Sequence, residues 1–152
     1  MIGYYTLIDK LKTILEVEPF INTITKGGID QVDLQKVSLY PICHISINNS
    51  RIESSTIVYN VSFILMDILD YNKKESSHVY YSHDNEDDII NQMNEQAIRI
   101  YELFRRGAFY NNGMQLVDES ANIEYFSDRF VDKVAGCTLT LDVALYNNGT
   151  IC

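Results

Sequence analysis

The stretch Ser55-Thr56-Ile57-Val58-Tyr59-Asn60-Val61-Ser62-Phe63-Ile64-Leu65-Met66-Asp67-Ile68 decides the fold class. Ile57, Tyr59, Val61, Phe63 and Leu65 alternate with Val58, Asn60, Ser62, Ile64 and Met66. A period of two sends successive side chains to opposite faces of a strand. β-Branched and aromatic residues suit that pleated surface. The alternation therefore predicts one long strand. Toward Phe63–Met66 both sets become apolar. That end needs cover on both faces, from helices or from a neighbouring subunit.

Upstream, Pro41 opens a second strand over Ile42–Ile47, with Cys43, Ile45 and Ile47 on one side and His44 and Ser46 on the other. Asn48-Asn49-Ser50 carries turn chemistry, so the two runs predict an antiparallel hairpin joined through Asn48–Ile52. Tyr4, Leu7, Ile8, Leu11, Ile14 and Leu15 recur at helical spacing, with Asp9, Lys10, Lys12 and Thr13 on the opposite face. Pro19 stops that helix, because the residue before a proline avoids the α region. Phe20–Thr25 predicts a short strand, Lys26-Gly27-Gly28 a turn, and Ile29–Leu34 an extended or irregular piece.

Downstream, residues 71–84 form a long polar connection, a length usually found in functional or disordered segments. Asp84–Asp88 supplies an acidic first turn for a second helix. Its apolar stripe is Ile89, Ile90, Met93, Ala97, Ile100, Tyr101 and Phe104, and Arg105-Arg106-Gly107 ends it. Met114–Asp118, Ile123 toward Val131, and Gly136–Leu145 predict three more strands. Helix, strands, helix, strands, with short turns between strands, predicts an α+β fold: a mainly antiparallel sheet with two principal helices. Residues 1–152 suit a single domain, with 71–84 as a long loop or arm.

The composition supports a soluble protein with its own core. Hydrophobic residues make up 46%, and only 7 Gly and 2 Pro punctuate the chain. The net charge of −9 repels phosphate backbones and anionic lipids, which argues against a protein whose main task is to grip nucleic acid. No apolar run approaches a membrane span, and charged residues interrupt any signal-like stretch at the start. Cys43, Cys137 and Cys152 have no disulfide or zinc spacing and are expected as reduced thiols in a cytosolic setting.

No constellation compels chemistry. His78, His83 and Asp84, Glu86, Asp87 and Asp88 lie close together but lack a calcium-loop pattern, so a solvated loop and an acid-capped helix explain them. Cys43 and His44 are adjacent on a strand and point to opposite faces, so they form no dyad. His44 is expected at the surface. The carboxylates are scattered, and Lys26-Gly27-Gly28 lacks phosphate-loop spacing. The expectation is no enzyme, with no catalytic, cofactor or metal residues. Tyr71, Tyr80, Tyr81 and Tyr110 fall outside core patterns, and tyrosine is enriched at interfaces. Together with Lys73-Lys74 and Arg105-Arg106 they are the candidate interface residues.

The arrangement resembles the neck and tail-completion proteins of tailed bacteriophages, of the tail terminator type, as in phages of Bacteroides-like hosts. The resemblance rests on the Tyr4–Leu15 helix, Phe20–Thr25 with Lys26-Gly27-Gly28, and Leu39-Tyr40-Pro41-Ile42 leading into the hairpin. The Asp88–Arg105 helix and Arg129-Phe130-Val131-Asp132-Lys133-Val134-Ala135-Gly136 before the last strand complete it. It implies a tail-terminator-like subunit of a hexameric or dodecameric ring in the virion, assembled in the host cytoplasm. Such a ring joins portal, connector or tail proteins and passes DNA through its lumen without specific binding. It implies no catalytic residues and no membrane. Two readings compete with it: a cytosolic interaction or adaptor module, and a small enzyme using His44 or His83 as general base.

Overall fold

The computed structural model describes residues 3–29, 39–69, 85–107, 110, 113–118, 120–129 and 133–147. The order is α1 (Tyr4–Glu16), β1 (Thr23–Lys26), β2 (Ile42–Ile52), β3 (Thr56–Ile68), α2 (Glu86–Arg105), β4 (Met114–Leu116), β5 (Asn122–Arg129) and β6 (Val134–Tyr146). The strands make one six-stranded sheet, β1-β2-β3-β6 with β4 and β5 both paired to β6. All pairings are antiparallel except β1 with β2. This is the α+β class with a mainly antiparallel sheet. No helix among the described residues is long and apolar enough to cross a membrane.

The long alternating stretch is the centre of the sheet. β3 pairs with β6 without interruption, from Thr56 opposite Tyr146 to Ile68 opposite Val134. Val61, Phe63, Leu65, Leu139, Leu141 and Val143 project to one face and are buried there with Leu7, Leu11 and Leu15 of α1 and Met93, Ala97, Ile100 and Phe104 of α2. Each such side chain contributes about 1.5–3 kcal/mol by leaving water. Phe63 meets Phe104 with ring centroids 5.5 Å apart.

Within the chain, the double-sided apolar end of β3 has the helices on one face and a smaller core on the other. Met66 packs on the far face with Tyr40, Ile42 and Val134, flanked by Leu39, Ile64, Ile68 and Phe126. The alternating faces were legible; which residues close the smaller core depended on the register of distant strands.

Three local expectations change. First, Asn48-Asn49-Ser50 is not the hairpin turn. β2 runs on to Ile52, and Asn48 is the extra residue where the register shifts between Ile47 and Asn49. A bulge gives such a residue a place in a strand without breaking the ladder. The turn falls at Glu53–Ser55, closed by the Glu53 N–H donating to Thr56 O at 2.8 Å. Second, the strand expected over Phe20–Thr25 begins at Thr23. The Ile21 N–H donates to Glu18 O, and the amides of Asn22 and Thr23 both donate to Pro41 O, so Phe20 sits in a turn and is 58% exposed. Third, Lys26 belongs to β1, and the bend begins at Gly27, whose φ of 108° favours glycine. β1 then pairs in parallel with β2, which the long Gly27–Pro41 connection permits.

The helix ends follow their sequence signals. Glu86, Asp87 and Asp88 occupy the first turn of α2, and Gly107 follows its C-cap at φ 84°. Asn85 Nδ2 donates to Ile68 O at 3.3 Å, which ties the start of α2 to the end of β3. The 71–84 segment lies outside the described residues, as do Ile29–Leu34 beyond Ile29 and Phe130–Asp132.

At Gly136 the backbone of β6 passes close to that of β3. A Cβ built there would lie 1.9 Å from Leu65 O, a backbone atom that cannot step aside. Gly136→Ala is therefore expected to destabilise by about 1–3 kcal/mol through overpacking, and Phe63→Ala by about 3–5 kcal/mol through truncation. Urea unfolding of both variants checks this; an unchanged midpoint for Gly136→Ala would mean that β3 and β6 are spaced more widely at that pair.

Candidate functional site

The two faces of the sheet have opposite chemistry. Opposite the helices, β2, β3 and β6 present a ladder of hydrogen bonds between side chains. Asn48 Nδ2 donates to Asn60 Oδ1 at 2.8 Å and to Ser62 Oγ at 2.7 Å. Ser62 Oγ lies 2.9 Å from Thr140 Oγ1, and Asn60 Nδ2 donates to Asp142 Oδ1 at 2.6 Å. Arg51 closes the ladder at 2.9 Å from Asp142 Oδ2 and 3.0 Å from Glu53 Oε1, and these two bonds hold its guanidinium pKa above its usual value. These groups satisfy one another across strands, which pins the register more than it offers a binding site.

His44, expected at the surface, is buried on β2, beneath the edge strand β1. Its Nδ1 lies 2.8 Å from Thr25 Oγ1 and its Nε2 lies 3.1 Å from Gly27 O. The carbonyl can only accept, so Nε2 carries the proton and Nδ1 accepts from Thr25. His44 thus fastens β1 and its bend to β2. Among the described residues no carboxylate is its partner, and both ring nitrogens are committed. A general-base role has no geometry here. The cysteines expected in the core are there. Cys43 and Cys137 are buried as free thiols, and burial raises both, that of Cys137 to about 12. Neither has thiolate reactivity at neutral pH. Cys152 lies outside the described residues.

Among the described residues, a groove of about 580 Å³ lies on the helical side. Phe20 and Pro41 form one wall, and Gln92, Met93, Glu95, Gln96, Ile98 and Arg99 of α2 form the other. Phe20 and Ile98 are 58% and 47% exposed, so apolar surface faces solvent on both walls. Two buried acceptors lie beside it. Gln96 Oε1 has no hydrogen-bond donor among the described residues. Glu18, just past α1, has Oε2 only 2.6 Å from Arg99 Nε but outside hydrogen-bonding geometry, so the contact is an ion pair alone. Leaving a buried polar atom unsatisfied costs about 1–3 kcal/mol.

Of the predicted interface residues, Arg105 and Arg106 lie at the C-terminal end of α2, and Tyr110 lines a hollow there with Arg105. Tyr110 is 78% exposed, and its amide donates to Gly107 O at 2.9 Å. Arg105 and Arg106 both contact Glu102, at 3.0 Å and 3.2 Å, and hold its carboxyl below the usual range. Tyr71, Lys73, Lys74, Tyr80 and Tyr81 lie outside the described residues, as do His78, His83 and Asp84. Among the described residues no group of His, Cys, Asp and Glu is placed to hold a metal.

Sequence reasoning missed Phe20, Glu18, Gln96 and Arg99. One signal was available: Gln96 interrupts the apolar stripe between Met93, Ala97 and Ile100, where an amide has to be buried. Neither a protein-family model nor a curated protein matches this sequence.

Burial lowers the His44 pKa below its ordinary value, against the opposing effect of the Gly27 bond. Below about pH 6.5 the unfolded chain therefore binds more protons than the folded one. Stability is full above that pH and falls as pH drops through it toward the folded-state pKa. His44→Gln is expected to flatten that part of the pH–stability curve, measured by urea unfolding between pH 5 and 8; an equal slope in both proteins would show that other groups dominate.

Proposed function

We propose that the protein is a structural subunit of a tailed-bacteriophage neck or tail, of the tail terminator or head–tail connector type. In this reading it closes into a homo-oligomeric ring that joins the portal side to the tail and lets DNA pass. The observation that carries an assembly role is the groove beside α2. An isolated copy leaves apolar side chains exposed at Phe20 and Ile98 next to a buried Gln96 oxygen with no donor among the described residues. Such a surface is completed by a partner. The resemblance of the helix, hairpin and closing segments to tail terminators supplies the virion setting. The net charge of −9 suits a lumen that DNA crosses without sticking.

The same groove would also suit a cytosolic adaptor that receives a foreign peptide on a lone chain. Solution mass separates the two. Light scattering and negative-stain imaging across a concentration series are expected to show closed rings, or a monomer that converts to them as concentration rises. A strict monomer at every concentration would contradict the ring and favour the adaptor.

A further inference from the structure

We propose that His44 makes β1 an acid-released edge strand: a neutral imidazole latches the strand to the sheet, and a protonated one lets β1 and its bend come away from β2 while the rest of the sheet stays folded. This release does not depend on ring formation. The latch is one side chain bonded at both nitrogens of its ring. Nδ1 lies 2.8 Å from Thr25 Oγ1 on β1, and Nε2 lies 3.1 Å from Gly27 O in the bend. His44 belongs to β2 and is only 1% exposed. Both bonds therefore run from β2 to the one strand that pairs with it in parallel.

The surroundings of the ring suit its neutral form. Thr25 stands opposite His44 on β1, and Ile64 stands opposite it on β3. Lys26 is turned to the other face, where its Nζ lies 4.4 Å from the centre of the Tyr4 ring. Asp67 alternates with Ile64 and Met66 and also belongs to the other face. Tyr40, further along the same face with Ile42 and Met66, is a phenol and uncharged in the acid range. Glu124 shares the face in register, but three strands away, about 14 Å at the usual spacing. A proton added at Nδ1 thus creates a buried cation with a hydroxyl and a carbonyl beside it. The Thr25 hydroxyl can turn to accept, so both bonds survive, but the lost hydration of the charge is not made good. Burial lowers the His44 pKa for the same reason.

Release of β1 is the small movement that returns the ring to water. The strand is four residues long and joins the sheet through four pairs, Thr23–Lys26 with Ile42–Ile45. None of the four is fully buried. The thirteen pairs of β3 with β6 need not separate. Short elements with few buried contacts open locally at lower cost than the whole domain unfolds. In the open form His44 regains the ordinary histidine pKa, and in the closed form its pKa is lower. The closed form therefore binds fewer protons. Closing is at full strength above about pH 6.5 and weakens as pH falls through that value toward the closed-state pKa, by at most about tenfold per pH unit.

Two measurements on the full-length chain test the latch. Nitrogen NMR of the imidazole gives the titration and tautomer of His44, expected as the Nε2–H form with a midpoint below about pH 6.5. Hydrogen exchange at about pH 5 and pH 8, corrected for the intrinsic rate at each pH, then locates the opening. The protected amides of β1, and the Asn22 amide that donates to Pro41 O, are expected to lose protection about fivefold or more at the lower pH. The amides of β3 and β6 are expected to keep theirs. His44→Gln, whose amide can still donate to Gly27 O and accept from Thr25, is expected to hold β1 equally at both pH values. A His44 midpoint at or above that of an ordinary histidine would overturn the latch. So would β1 protection that ignores pH, or the same loss in His44→Gln. Loss of protection in all strands together would overturn local release and leave His44 a determinant of global stability alone.

Discussion

The fold depends on the pairing of β3 with β6. Thirteen consecutive residue pairs join them, and every other element is placed by them. β2 is added on one side of β3, and β4 and β5 on the free side of β6. The helices pack on the face that Phe63, Leu65, Leu139 and Leu141 make apolar. A slip of one residue would carry that whole set to the polar face. Gly136 prevents one kind of slip, because no other residue fits where the strand passes Leu65 O.

The two faces share the work unequally. On the outer face, Asn48, Asn60, Ser62, Thr140, Asp142 and Arg51 hydrogen-bond to one another. On the helical face, α1 and α2 bury the core, but the seam beside Gln92–Arg99 is left open. There Gln96 has a buried acceptor with no donor among the described residues, and Phe20 and Ile98 leave apolar surface exposed. A polar mismatch of this kind is tolerated where binding resolves it. The contrast between a self-satisfied face and an unfinished groove is the physical basis for reading the protein as an assembly subunit.

Much of the fold was legible because its signals are local and periodic. The β3 alternation, the α1 and α2 stripes, and the Gly107 stop each lie within one element. What misled was chemistry with two meanings. Asn48-Asn49-Ser50 has turn residues, yet Asn48 serves a bulge because Asn60 and Ser62 lie opposite to receive its amide. His44 alternates with core residues and looks exposed, but the parallel β1 covers it with Thr25 and Gly27. The groove was the least legible part. Its walls come from the turn after α1, the start of β2 and the middle of α2, and no short window of sequence joins them. Of the predicted interface residues, Arg105 and Arg106 are brought together because one helix end carries them.

The most direct measurement is a cryo-electron microscopy reconstruction of the protein in its assembled form, at a resolution that shows side chains. The account predicts a closed ring in which the α2 groove of each copy is covered by a neighbouring copy, with the polar ladder of β2, β3 and β6 unchanged from the single chain. A ring whose α2 grooves open to solvent, or particles that hold only separate single copies, would contradict it.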